Sequence, residues 1–191
     1  MMNEGVNEMT TFDFGNGPVP AHQHSNGGGW VADTATVSET AYVGPNAVVS
    51  GNARVIDNAE VYDNAVVTDN AVVTDRVVVS GDARVSGNAK VYDNALVSGY
   101  ACVNGNAWVT GDAWVSGNAW VTGDARVYDN VRVFDDARVS GDACVSGNAW
   151  VYDNARVIDN ARVIDNARVY DNARVSGGTK VSGNARVTGN E

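Results

Sequence analysis

His22 and His24, in the phrase His22-Gln23-His24, are the residues of this chain whose types most directly suggest chemistry. Two imidazoles on one side, joined by a carboxylate such as Asp13, are donor types that a zinc or other transition-metal site uses. They are weak metal candidates, because histidines in a polar turn more often serve as plain hydrogen-bonding groups. No histidine follows His24, so the rest of the chain has no imidazole base for proton transfer. The two cysteines, Cys102 and Cys144, fall on different faces and coils of the repeat described next, beyond the roughly 7 Å that a disulfide allows between Cα atoms. They read as reduced surface thiols without a histidine partner. No catalytic residue and no cofactor are expected.

Any working surface must therefore be positioned by the repeat. From Gly29 to Asn190 the phrase Ala-x-Val-x-(Gly/Asp)-(Asn/Asp) recurs 27 times with no residue gained or lost, as in Ala83-Arg84-Val85-Ser86-Gly87-Asn88. Val holds the third place in all 27 units, and Ala the first place in 23. A period of six is too short for a helical repeat and fits very short strands joined by tight turns. β-Branched Val suits a pleated strand and points inward, which sends its two neighbours outward. The Gly/Asp and Asn/Asp pair turns the chain because these residues tolerate left-handed backbone angles or bond their own backbone. A small Ala then fits inside the corner. Units of this kind are stable only when stacked.

The phrase resembles the signature of hexapeptide-repeat left-handed parallel β-helices, with an aliphatic residue and a small one four places later, as in Val85 and Ala89. The resemblance implies an all-β fold, a single-stranded left-handed parallel β-helix in which three hexapeptides make one triangular coil. Twenty-seven units then give about nine coils and a rod roughly 43 Å long at the spacing of stacked strands. Residues 1–28 form an N-terminal cap and residues 29–190 the β-helix. The stretch Pro20 to Val31 resembles the opening of hexapeptide proteins in bacterial and phage genomes, so a bacterial or phage origin is expected. Acyltransferases of this family use a histidine base and an acyl-donor loop between coils, and its carbonic anhydrases use three histidines on zinc. This chain has no histidine after His24 and no loop breaking the repeat, so a non-enzymatic protein is the expectation. Ice binding would need outward threonines in files on one face, and Thr68, Thr74, Thr110, Thr122 and Thr188 are spread over three.

Residues one coil apart are 18 apart in sequence, so outward columns can be read directly. One face carries Trp114, Arg132, Trp150, Arg168 and Arg186 before Val, and Ser116, Phe134, Tyr152, Tyr170 and Thr188 after it. Aromatic residues and arginine are the types enriched in binding hot spots; the same residues could equally stiffen an exposed sheet. Trp114, Arg132, Phe134, Trp150, Tyr152, Arg168, Tyr170 and Arg186 are therefore the candidate protein-binding residues. Trp108, Trp114 and Trp120 fall one on each face and form a belt.

Residues 1–124 hold 14 acidic and 4 basic side chains, and residues 125–191 hold 9 of each. The acidic groups sit at turn positions and line the rod's edges. Such a surface repels nucleic acid along the first half, so direct nucleic-acid binding is not expected there, although the arginines leave it open for the second. Two functions remain: a rigid spacer or docking rod for a protein partner, and an acidic DNA mimic that blocks a basic one. The repeat runs on to the last residues, so Val175, Val181 and Val187 of the ninth coil are expected to meet another copy end to end, giving a homo-oligomer. With no apolar run long enough to span a membrane and no secretory leader, a cytoplasmic protein, or one assembled into a phage particle, is expected.

Overall fold

A computed structural model describes residues 10–189. From Trp30 onward each hexapeptide forms one strand of two or three residues, and strands three units apart lie side by side. Three sheets result. The first face runs from the strand Trp30–Ala32 to Arg174–Val175, the second from Thr36–Val37 to Lys180–Val181, and the third from Tyr42–Val43 to Arg186–Thr188. Every pairing between repeat strands is parallel with an offset of 18, as in Val91 against Val109 and Val109 against Val127. The fold is a left-handed parallel β-helix of about nine turns, with no helix among the described residues. Among the described residues no helix is long and apolar enough to cross a membrane.

The core is a column of Val and Ala. From Ala41 to Val169 the first and third residues of every unit have no exposed surface. Between them the second-place residue stands outward, as the alternation of strand side chains requires. From Gly51 to Gly183 the fifth-place residue at each corner takes a left-handed backbone angle, φ 62° at Asp69 and 67° at Gly87.

Hydrogen bonding explains why two residue types share this corner. In most units the amides of the second, fourth and sixth places donate to the coil ahead, as Val66 does to Ala83, Thr68 to Val85 and Asn70 to Gly87. The corner amide points back along the axis. At most corners where the coil behind carries Asp, its Oδ2 accepts that bond, from Gly87 to Asp69 at 2.9 Å and from Gly147 to Asp129 at 2.9 Å, whereas Asp57 Oδ2 accepts the Thr74 hydroxyl. Beside the corners, sixth-place amides form side-chain ladders, with Asn52 donating to Asn70, Asn70 to Asn88, Asn88 to Asn106 and Asn106 to Asp124.

The N-terminal cap is itself a sheet. Strand β1 (Thr11–Asp13) pairs antiparallel with β2 (Pro18–Gln23), and β2 pairs antiparallel with β3 (Trp30–Ala32), so the first face gains two strands that cover its open edge. Phe12 stacks on Trp30, ring centroids 4.6 Å apart, which anchors the join. The backbone passes so close to the second-coil side that a methyl group on Gly29 would lie 2.3 Å from the carbonyl oxygen of Gly44. Only glycine allows that approach. Residues 1–9 of the expected cap, and 190 and 191 at the other end, lie outside the described residues.

Candidate interaction face

The cap histidines are held apart. His22 Nδ1 is 2.9 Å from Asp33 Oδ1 near solvent, whereas His24 is buried with Nε2 3.0 Å from the carbonyl oxygen of Ala41. Asp13, the expected third ligand, instead accepts the amides of Gly15 and Gly17 at 2.8 and 2.9 Å. Each group thus has its own hydrogen-bond partner, and no cluster of three metal-ligating side chains occurs among the described residues. Both cysteines are free, and each stands half-buried at the outward position of its strand. Burial pushes the Cys102 thiol up from its ordinary range, which opposes thiolate formation.

The third face brings its predicted residues together. Because Trp114, Arg132, Trp150 and Arg168 occupy consecutive strands at one register, each side chain lies over the next. The Arg132 guanidinium sits 5.6 Å from the Trp114 ring and 5.0 Å from that of Trp150, and Arg168 lies 4.8 Å from the other side of Trp150. Cation and ring alternate over four coils, an arrangement favoured by the ring quadrupole. Beside it, Phe134, Tyr152 and Tyr170 form a parallel stack with centroid spacings of 5.0 and 5.1 Å and interplanar angles of 3°. Burial raises the Tyr152 phenol, so it stays neutral at physiological pH and keeps its O–H as a donor. Arg186 follows Arg168 in the same column without a ring above it.

Two consequences follow for recognition. The stacked rings show their edges outward, so they are poorly placed to receive a flat sugar. The stack also ends at Phe134, since Ser116 occupies the next rung, and there a cavity of about 230 Å³ opens between Trp114, Arg132, Phe134 and Trp150. Among the described residues no Arg or Lys lies within 4.0 Å of a described carboxylate; the one ion pair is His22 with Asp33. The reason is architectural: carboxylates at the corners turn along the axis to cap amides, while guanidinium groups stand on the flat faces. Arginine N–H donors on the third face are therefore free for an external acceptor.

The other predicted surfaces are distributed. Trp108, Trp114 and Trp120 lie on three different sheets and are 43, 42 and 47 % exposed, a belt and not a patch. Val175 and Val181 are buried and Val187 is partly buried in the last described coil. The acidic edges, offered as a DNA mimic, have a structural use in the amide caps.

Comparison with known proteins agrees on the architecture. Segments 125–141, 137–153 and 167–179 match the YdcK Beta solenoid repeat. UDP-N-acetylglucosamine O-acyltransferase (LpxA) from Moraxella catarrhalis RH4 is similar in fold, with a TM-score of 0.54 and 14% identity over 72% of this chain. This chain spans 63% of that protein's length. UDP-N-acetylglucosamine acyltransferase from Campylobacter jejuni aligns over 75% of this chain and 68% of its own, at 14% identity and a TM-score of 0.36. No curated protein matches the sequence.

Proposed function

We propose that the protein is a non-enzymatic docking rod whose third face binds a protein partner. The supporting observation is the preordered strip in which Arg132 and Arg168 are stacked on Trp150 with no described carboxylate within 4.0 Å. A side chain already fixed by its neighbours loses little entropy on binding, so each contact it makes yields more affinity. Acyl transfer finds less support. The likeness to acyltransferases is one of fold, and fold does not carry chemistry. The repeat strands from Trp30 to Thr188 also follow one another without an inserted loop.

The test starts from a partner isolated with the full chain and then purified. Changing Arg132 and Arg168 together to Gln keeps a polar side chain, shorter by two atoms, and removes the guanidinium forks. Binding should weaken at least tenfold at an unchanged melting temperature. Equal affinity for the double variant would overturn the assignment of this face. Loss of affinity by several powers of ten between low and moderate salt would instead favour the acidic mimic.

A further inference from the structure

The second face carries a gap that the third face has filled. Its outward column after Val reads Tyr92, Thr110, Tyr128 on consecutive strands. The two tyrosines are two coils apart, about 9.6 Å by strand spacing, and Thr110 between them is too short to occupy the rung. A cavity of about 340 Å³ remains, walled by Tyr92, Tyr128 and Trp108 over Thr110 and Gly111. On the third face the equivalent arrangement of two rings two coils apart, Trp114 and Trp150, holds Arg132 on the rung between them. The fold itself therefore shows what fits between aromatic rungs at this spacing.

Charge singles out the same occupant. The Asp93 carboxylate reaches the level of the empty rung, where Oδ2 accepts the Gly111 amide at 2.9 Å, and its other oxygen has no Arg or Lys within 4.0 Å. Two carboxylates, Asp93 and Asp129, line the cavity against one cation, Arg126, which lies 6.0 Å from the Trp108 ring, while Lys90 lies 5.0 Å from the same ring. Burial and the adjacent Asp93 raise the Tyr92 phenol, so that wall stays uncharged at neutral pH. The rod's first half, with 14 acidic and 4 basic residues in 1–124, adds a negative field that draws a cation in. We propose that the slot between Tyr92 and Tyr128 receives an arginine side chain of a partner protein, its guanidinium lying between the rings and hydrogen-bonded to Asp93.

The full chain, labelled with ¹⁵N, is titrated with N-acetylarginine amide and, separately, with its uncharged citrulline counterpart and with N-acetyltyrosine amide. The arginine amide should shift the Gly111 and Tyr128 resonances saturably, and the citrulline and tyrosine amides at least tenfold more weakly. Asp93→Asn keeps an oxygen for the Gly111 amide and tolerates the left-handed corner, and it should weaken arginine binding about tenfold with the fold unchanged. Thr110→Arg fills the rung from within and should abolish binding. Equal binding of the citrulline amide, tighter binding of the tyrosine amide, no saturable shift, or undiminished binding in Asp93→Asn would each overturn the proposal, whether or not Thr110→Arg folds.

Discussion

The corner aspartate is the residue at which backbone conformation and hydrogen bonding meet. Asp69 adopts φ 62° and accepts the Gly87 amide at 2.9 Å, so it tolerates a strained angle and satisfies a donor that the coil geometry leaves over. Alanine there lacks the local side-chain bonding that eases a left-handed angle for Asp and so meets a penalty of about 1–2 kcal/mol, and it loses the bond, worth about 1 kcal/mol. Asn keeps an acceptor and enters the left-handed region readily. Chemical unfolding should therefore show Asp69→Ala less stable by about 2–3 kcal/mol and Asp69→Asn within about 0.5 kcal/mol of the parent. An Asp69→Ala variant as stable as Asp69→Asn and the parent would mean that the bond to the Gly87 amide contributes nothing. The left-handed angle was legible in the sequence from the Gly/Asp choice at the fifth place. The amide cap was not, because it depends on which way the carboxylate turns once the next coil is in place. For the same reason the edge charges read as a possible ligand mimic, whereas the structure employs them in the wall.

At the level of the strand, the sequence carried nearly everything. Val every sixth residue placed the inward positions, and 18-residue columns placed the outward ones, so the Trp114–Arg132–Trp150–Arg168 file and the Phe134–Tyr152–Tyr170 file were both readable before any coordinates. The antiparallel β1 and β2 were not, since no period extends into them. The Tyr92–Thr110–Tyr128 slot was readable in principle but lies in an interrupted file, and an interruption attracts notice only once the rings show their spacing. The strand core itself is stringent. Val109 has no exposed surface and stacks between Val91 and Val127. Val109→Ala should cost about 2 kcal/mol from lost methyl burial and the cavity left behind. Val109→Asp would leave an unpaired charge in a column with nothing to hydrogen-bond it, costing several kcal/mol. Thermal melts should rank parent, Ala and Asp in that order, and an unchanged midpoint for Asp would contradict the inward placement of this residue.

Across the whole molecule, core and surface obey different periods. The interior repeats every six residues, because each unit contributes the same inward Ala and Val, but the surface repeats every 18, because three units close a coil. Removing one hexapeptide should therefore leave the core intact and turn everything after it onto the adjoining face. Deleting residues 137–142 sets Arg156 in the place of Trp150 on the third face and carries Trp150, Tyr152, Arg168 and Tyr170 to the second. Far-UV circular dichroism and a single cooperative melt should persist, while the near-UV signal of Phe134 stacked on Tyr152 disappears and partner binding through Arg132 and Trp150 is lost. Deleting 137–141 removes one residue fewer and shifts every later Val out of the inward position, so the remaining coils would have to bury polar side chains. That variant should melt far lower or not fold. If the six-residue deletion behaved like the five-residue one, the units would not be interchangeable inside the rod, and the separation of a uniform core from an individual surface would fail. If it folded and still bound the partner, recognition would not depend on the alignment of Arg132 with Trp150, and the docking face would have to be sought upstream of the deletion.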